Sequence, residues 1–297
     1  MKNKIGASLG GFKGLSIEGA MNLYLKLSKD FNLSAVEIRF EKERNRPSLW
    51  SWEINSKLKD FLRNFEVKGA HLPFIYLNPI SQNPRIREES LKQLKEVIEK
   101  SAYLGMNYAV MHARGFALDL SFEEQVEEWI KVIEELTDYS KENSIILTIE
   151  NADFLWNLAD VSKLIKKINS KWLKMTLDVG HAHVRKVPPL QRYPIKELSL
   201  RVLDTFLPFF FKKNMPYENY GSVKNFVKSE RDLILNVHIH DYNGRRDHLI
   251  IGEGKIDFSF LSELKGDFKG AYIFEVEFEN YYDDFRKNYE RFMEVLK

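Results

Sequence analysis

The stretch Ile145–Asp178, IILTIENADFLWNLADVSKLIKKINSKWLKMTLD, indicates the fold by itself. It opens with the hydrophobic run Ile145–Glu150 and closes with a second one, Leu173–Asp178. Between the two runs, Leu158–Ile168 has the apolar periodicity of a helix. Both flanking runs are continuously apolar rather than alternating, as expected of parallel strands that are buried on both faces. The stretch therefore predicts a strand–helix–strand unit with parallel strands.

This pattern repeats from one end of the chain to the other. The predicted strands are Lys4–Leu9, Ala35–Phe40, Val67–Pro73, Tyr108–Ala113, Ile145–Glu150, Leu173–Asp178, Leu233–Asp241 and Ala271–Val276. The predicted helices are Ile17–Lys29, Leu49–Asn64, Ile86–Leu104, Phe122–Glu142, Leu158–Ile168, Phe258–Leu264 and Tyr281–Leu296. Eight strands in this rhythm predict an α/β protein, a (β/α)8 TIM barrel that forms a single domain over residues 1–297. The alternative, an open doubly wound sheet, lacks a glycine-rich phosphate loop after the first strand.

One long segment, residues 182–232, interrupts the rhythm between the sixth and seventh strands. It contains the sequences VPPLQRYP, FLPFFFKK and MPYENYGS. A βα loop of this length in a compact domain is usually functional or carries a helix of its own. We expect it to pack on the barrel or form an oligomer contact, and the alternative is a lid over a substrate.

The composition bears on the partners of the protein and on the ligands of any metal site. The chain has 297 residues, a net charge of +2 and no cysteine. Bulk charge therefore gives no argument for nucleic acid, and any metal site has to use His, Asp and Glu side chains. The N-terminal MKNKIGASLG has no apolar signal segment, and no hydrophobic run is long enough to span a bilayer. We expect a cytoplasmic protein with no membrane partner.

Side chains that can bind metal gather at the ends of the predicted strands. In a barrel, these positions line one open mouth. His238 and His240 are two residues apart, so both point the same way if the strand is regular. The candidates, in chain order, are His71, His112, Glu150, Asp178, His181, His238, His240, His248 and Glu275. Imidazole and carboxylate ligands at the same end of successive strands predict a divalent metal site.

Short motifs in this region carry a resemblance to a known group. In order, they are GAHLPF, VMHARG, LTIEN, LDVGHAH, VHIHDYNG…HLIIGEGKIDF and IFEVE. The ordered set resembles the xylose-isomerase-like TIM-barrel superfamily, which includes sugar isomerases, epimerases and the endonuclease IV type of apurinic (AP) endonuclease. The resemblance implies one core divalent ion, Mn²⁺, Zn²⁺, Mg²⁺ or Co²⁺. The implied ligands are Glu150, Asp178, His238 and Glu275.

The sugar isomerase and epimerase branch provides the leading hypothesis. The resemblance implies that Glu150 and Glu275 act as acid and base on opposite faces of a sugar or sugar phosphate, while the metal stabilises a cis-enediolate. One histidine and one arginine of this branch contact the substrate, and with a single ion the remaining histidines would also be available to it. The implied substrate-binding residues are His181, Arg245, Arg246, His71 and His112.

The endonuclease IV branch is the alternative, and it implies cleavage of abasic DNA with two or three zinc ions. The matched ligands are His71, His112 and Glu150 for one zinc, Glu150, Asp178, His238 and Glu275 for a second, and His181 and His248 for part of a third. The chain departs from this branch at the third site, where Arg246 stands in the place of an acid. It departs again at His240, where that branch has an asparagine.

A third hypothesis is a barrel that binds a metal or ligand without catalysis, and association into a homo-oligomer is compatible with all three hypotheses. On the second strand, Glu37 and Arg39 would point inward together, and we expect them to form a buried ion pair rather than to reach the site.

Overall fold

The eight strands close into a barrel. The computed structural model describes residues 3–41, 51, 53–117, 119–153, 158–184, 222–264 and 268–297. The strands are β1 Lys4–Ser8, β2 Ala35–Arg39, β3 Val67–His71, β4 Tyr108–Met111, β5 Ile146–Glu150, β6 Leu173–Asp178, β7 Ile234–Ile239 and β8 Ala271–Phe274. Each strand pairs in parallel with the next, and β8 pairs with β1. The predicted (β/α)8 TIM barrel is therefore confirmed.

Helices alternate with the strands, but two predictions are corrected: Phe258–Leu264 is a 3-10 helix, and the second helix begins at Asn55 instead of the predicted Leu49. The α-helices are α1 Ile17–Phe31, α2 Asn55–Leu62, α3 Pro84–Tyr103, α4 Phe122–Glu142, α5 Leu158–Ile168, α6 Val179–Val184, α7 Val223–Glu230 and α8 Tyr281–Val295. The bounds of α4 match the prediction because Ser121 and Glu124 form a reciprocal capping box at its start. Helix α3 begins two residues before the predicted Ile86, because Asn83 caps it and Pro84 occupies its first turn.

The strands end earlier at the mouth than the sequence predicts. Strand β3 ends at His71 instead of Pro73, and β8 ends at Phe274 instead of Val276. Strand β7 ends at Ile239, and Asp241 forms only an isolated antiparallel bridge with Leu249. A hydrophobic run continues past the last ladder bond because the loop residues at the mouth are buried too. Most of the candidate ligands lie on the last strand residue or in the loop that follows it, whereas His238 is the last residue but one of β7 and His181 lies in α6.

The core has two layers. Apolar side chains such as Trp129, Phe226 and Phe260 fill the space between the strands and the outer helices, and all three are buried. Inside the barrel lies a polar layer in which Thr176 bonds to Thr148 at 2.7 Å and donates to Asn236 at 2.7 Å. These hydrogen bonds satisfy buried polar groups of β5, β6 and β7. The neighbouring strand ends therefore have a fixed spacing beneath the candidate site.

The predicted insert 182–232 falls mostly outside the described residues, because residues 185–221 are not described. At its far end, Ser222 caps α7, and the buried Phe226 anchors that helix. The roles as lid or oligomer contact remain predictions. Among the described residues, none of the helices combines the length and apolarity needed to cross a membrane.

Candidate metal centre

The mouth of the barrel brings the predicted ligands together. Four of them, Glu150, Asp178, His238 and Glu275, each offer one ligand atom, and these atoms lie within 4.8 Å of one another. The first three are fully buried, whereas the side chain of Glu275 is 17% exposed. We call this set the core group. The residues come from β5, β6, β7 and the loop after β8, so closure of the barrel is what assembles the set.

Hydrogen bonds orient His238 toward the carboxylates of the core group. Its Nε2 lies 3.1 Å from Glu37 Oε2, an atom that also accepts a 3.1 Å hydrogen bond from the Tyr108 hydroxyl. A carboxylate can only accept, so His238 Nε2 carries a proton. In the neutral ring, Nδ1 then presents its lone pair to Glu275 Oε2 at 3.0 Å and Glu150 Oε2 at 3.2 Å. A lone pair between carboxylates is stable only with a cation or a proton between them.

The same argument applies to a second group, His71, His112 and Glu150, which lies beside the core group and shares Glu150 with it. His71 Nδ1 donates to the Leu72 carbonyl at 3.0 Å, and His112 Nδ1 donates to Asp153 Oδ2 at 2.9 Å. The two Nε2 atoms are 3.2 Å apart, and that of His112 is 3.1 Å from Glu150 Oε2. The lone pairs and the carboxylate therefore converge on one point, as the ligands of a metal do.

Unsatisfied polar atoms support this interpretation. Both carboxylate oxygens of Glu150, together with His238 Nδ1 and His181 Nδ1, are buried without a hydrogen bond of acceptable geometry in the described part of the chain. Buried polar atoms are rarely left in this state unless a water, an ion or a functional constraint explains them. Mixed carboxylate and imidazole donors suit zinc, manganese or cobalt. The residues present thus fit a divalent ion.

Protonation of the histidines is the alternative source of positive charge. Burial lowers the pKa of His112, but the carboxylates of Glu150 and Asp153 outweigh burial and raise it to about 10. Burial also lowers the pKa of His181, which Asp178 and Glu150 raise to about 9. Burial raises the pKa of Glu150, but His112 and His238 hold it well below its usual value. A divalent ion would displace these protons and balance the same carboxylates.

His181, His240 and His248 form a third group, which contacts Asp178 through His240. His248 has a left-handed backbone (φ 55°), and its Nδ1 donates to the Glu275 carbonyl at 2.7 Å. That hydrogen bond leaves its Nε2 lone pair exposed to the mouth. His181 and His248 are the pair predicted for part of a third zinc site, and His240 stands where the endonuclease IV branch has an asparagine.

A cavity of about 230 Å³ opens above the metal-competent groups. Its walls include His71, His112, His181, His248 and Glu275, whereas Glu150, Asp178 and His238 lie beneath them and do not line it. Phe74 stacks on the His112 ring with centroids 4.2 Å apart, and the guanidinium groups of Arg39 and Arg114 each lie 5.3 Å from the Phe74 centroid. The cavity is small, with an aromatic side chain and cationic groups in its wall.

Two predicted substrate-binding residues lie elsewhere. Arg245 and Arg246 are exposed at the tip of the loop after β7, where their backbone N–H groups donate to Asn243 Oδ1 at 3.0 Å. They are not among the described residues that line the cavity. Their role in binding a substrate stays a prediction. Asp247 of the same loop does line the cavity.

Sequence reasoning missed Asp153 and misjudged the surroundings of Glu37. Asp153 lies in the loop after β5, where it has a left-handed backbone (φ 53°) that Asp tolerates better than most residues. A metal-binding histidine usually donates its remote N–H to a carboxylate, but that rule does not say which carboxylate along the chain. Glu37 contacts Tyr108 and His238, and Arg39 lines the cavity, so the expectation that neither residue reaches the site was wrong. Their ion pair remains a prediction.

Residues 25–297 match the family described as the xylose isomerase-like TIM barrel. The chain belongs to this family. Within it, an uncharacterised protein of Methanocaldococcus jannaschii, MJ1614, is 29% identical over 213 residues, which are 69% of this chain and 69% of that protein.

Solved structures share the fold of this xylose isomerase-like protein over nearly its whole length. The structure of a D-tagatose 3-epimerase-like protein superposes with a TM-score of 0.73 at 24% identity, covering 99% of this chain and 97% of that one. The IOLI protein with a binding zinc atom superposes with a TM-score of 0.69 at 15% identity, covering 99% of this chain and 98% of that one. At these identities the likeness establishes the fold alone.

Proposed function

We propose that this protein is a divalent-metal-dependent enzyme that isomerises or epimerises a sugar or sugar phosphate. The observation that carries the proposal is the core group. Among the described residues, neither His238 Nδ1 nor the buried carboxylate of Glu150 has a hydrogen-bond partner, so the two groups need a proton or a cation between them. The similarity in fold to a sugar epimerase-like protein and to a zinc-bound protein supports the choice of metal and substrate class.

The core group has the chemistry that such a reaction needs. A divalent ion bound there would polarise adjacent carbonyl and hydroxyl oxygens of the sugar and so make the neighbouring C–H more acidic. Glu275 lines the cavity, where its carboxylate can take a proton from the substrate carbon. Burial raises the pKa of Glu275, but His238 outweighs burial and holds it well below its usual value, so the carboxylate is ionised.

The two glutamates are not equivalent in the structure. Glu150 is fully buried and surrounded by His112 at 3.1 Å, His181 at 3.0 Å and His238 at 3.2 Å. These contacts favour Glu150 as a ligand and leave Glu275 as the acid–base group. With one base on one face, a proton can move between adjacent carbons, whereas epimerisation also requires a proton donor on the opposite face. Asp153, Asp247 and His181 also line the cavity and could donate such a proton, so both reactions stay within the proposed class.

The cavity wall suits a small polar substrate. The aromatic ring of Phe74 can pack against the apolar side of a sugar, and the guanidinium groups of Arg39 and Arg114 can bind a phosphate. A volume of about 230 Å³ suits a single sugar unit or its phosphate.

The proposal is tested by solvent exchange. Metal-loaded protein is incubated in D₂O with a panel of aldoses, ketoses and their phosphates, and NMR detects both product and deuterium at the carbon next to the carbonyl. We expect Glu275→Gln to lower turnover by roughly 10²–10⁴-fold. Glu277→Gln is the matched control, since Glu277 lines the same cavity but pairs with Lys13. If the metal-loaded protein neither converts nor exchanges any sugar of the panel, the proposal is rejected.

A second candidate is favoured by one specific observation, the group His71, His112 and Glu150. Two ions that share Glu150 would suit hydrolysis of a phosphodiester, because paired metals can activate the attacking and leaving oxygens together. This candidate retains abasic DNA as a substrate. It predicts that protein carrying two or more zinc ions nicks a duplex at a single abasic site, while an intact duplex of the same sequence stays whole. Metal binding with neither activity would support the non-catalytic hypothesis.

A further inference from the structure

The three histidines of the third group resemble a metal site, but their hydrogen bonds separate His240 from the other two. The His248 backbone N–H donates to His240 Nδ1 at 2.9 Å. His240 Nδ1 also lies 3.3 Å from the Asp241 carbonyl oxygen, but the 2.9 Å hydrogen bond from His248 is the shorter of the two. A nitrogen that accepts a hydrogen bond carries no proton, so the proton of a neutral His240 lies on Nε2. His240 Nε2 lies 3.1 Å from both Asp178 Oδ1 and Asp178 Oδ2, and it donates to this carboxylate. Both nitrogens of His240 are thus engaged.

The residues around His240 favour this one orientation of its ring. The ring is fully buried and packs directly on the backbone of Gly180, where any added Cβ would overlap it. Because Gly180 has no side chain, the His240 ring fits beside Asp178, which lies two residues before Gly180 in the chain. Rotating the ring to release Nε2 would break the hydrogen bond from His248 and meet the backbone of α6.

Asp178 is held on several sides. The His181 backbone N–H donates to its Oδ1 at 2.6 Å, and its own backbone N–H donates to Asn151 Oδ1 at 2.7 Å. His240 bridges both carboxylate oxygens, and Oδ2 faces His238 Nδ1 at 4.0 Å. The direction of the remaining Oδ2 lone pair is set by the hydrogen bond from His240.

We propose that His240 is a positioning residue for Asp178 and not a metal ligand. It fixes the carboxylate so that Oδ2 meets the ion of the core group, and it couples that carboxylate to the loop Asp241–His248 through the His248 backbone. The inference rests on the proposed function in one respect, the presence of an ion in the core group. It also implies that the third group offers only His181 and His248 as imidazole ligands.

Nitrogen NMR of protein labelled with ¹⁵N-histidine tests the inference without an activity assay. Spectra of EDTA-treated and Zn²⁺-saturated protein are compared, and His240→Gln assigns the His240 signals. We expect His240 to keep a protonated Nε2 and an unprotonated Nδ1 in both states, while His238 Nδ1 takes the shift of a zinc-bound nitrogen. Zinc ligation at His240 Nε2 overturns the inference. If no histidine responds to zinc, the proposed function fails instead.

Two variants give a second readout. Glutamine at position 240 can still donate a side-chain N–H to Asp178, whereas leucine has a similar volume and no donor. We expect His240→Leu to weaken Zn²⁺ binding at the core group by about 10–100-fold, as the loss of an outer-shell partner does. His240→Gln should restore most of the affinity. Equal affinity in His240→Leu and wild type overturns the inference, as does the loss of one whole ion from both variants with the affinity of the others unchanged.

Discussion

At the residue scale, the tautomers of three histidines are the main argument for a metal. Leu72, Asp153 and Glu37 each accept a hydrogen bond from the remote nitrogen of a histidine. The near nitrogens of His71, His112 and His238 are then directed at Glu150. Spacing along the strands indicated which side chains would meet, because strand ends are adjacent in any parallel barrel. It could not indicate the partners of the remote nitrogens, which come from other strands and loops and depend on side-chain rotamers.

Asp153 provides a prediction at this scale. Asp153→Asn keeps the tolerance for a left-handed backbone but removes the charge that holds His112 Nδ1–H. We expect the metal affinity of the group His71, His112 and Glu150 to fall by about 10-fold or more, with the core group unchanged. Stepwise Zn²⁺ titration by calorimetry measures both sites. Asp119→Asn, at an exposed acid of the preceding loop, is the control, and equal titrations of the two variants would contradict the role of Asp153.

The dependence of stability on pH provides a second prediction. In metal-free protein the pKa of His112 is raised to about 10 and that of His181 to about 9, above the ordinary 6.5. Groups whose pKa is raised by folding stabilise the fold fully below pH 6.5, and that contribution is lost as pH rises toward 10. We expect the Tm of EDTA-treated protein to fall across this range, while stabilisation by added Zn²⁺ grows. A metal-free Tm that rises between pH 7 and 10 would contradict this linkage.

At the element scale, patterning predicts the order of strands and helices well. The continuous apolar runs and the capping residues define every strand and most helix ends, since local propensity and burial agree at those positions. The errors in the strands lie at the mouth, where β3, β4, β7 and β8 stop about two residues before the predicted ends. Buried loop residues there have the same composition as strand residues, so hydrophobicity alone cannot locate the last ladder bond.

Gly69 in β3 provides a prediction for the contact between two strands. A Cβ at Gly69 would overlap the ring and hydroxyl of Tyr108 on β4, and Tyr108 holds Glu37 beneath His238. We expect Gly69→Ala to destabilise the protein by about 1–3 kcal/mol through overpacking, which lowers Tm by roughly 2–10 °C for a domain of this size. Thermal unfolding followed by circular dichroism measures the shift.

The control is Gly19→Ala in the first turn of α1, where an added Cβ would meet the Ser16 hydroxyl at 3.3 Å and the Leu15 side chain at 3.7 Å. Alanine favours a helix over glycine, so this variant should be neutral or slightly stabilising. Equal Tm values for the two variants would show that β3 and β4 tolerate a larger residue.

At the scale of the whole molecule, closure of the barrel brings residues that are far apart in the sequence together in one site. Residues from β3 at His71 to the loop after β8 at Glu275 meet at one mouth because every strand runs in the same direction. The sequence indicated the mouth and its ligand types. The resemblance also separated the ligands into the three groups that the structure brings together, apart from His240 in the third. The sequence did not distinguish the buried Glu150 from the accessible Glu275, because depth at the mouth depends on barrel packing.

Elemental analysis tests the central claim most directly. The protein is purified without added metal, and its divalent ions per chain are counted before and after dialysis against EDTA. We predict at least one tightly bound ion per chain in the purified protein and a lower Tm after its removal. A protein that purifies without metal, takes up none when Zn²⁺, Mn²⁺ or Co²⁺ is supplied and keeps its Tm in EDTA would contradict the account.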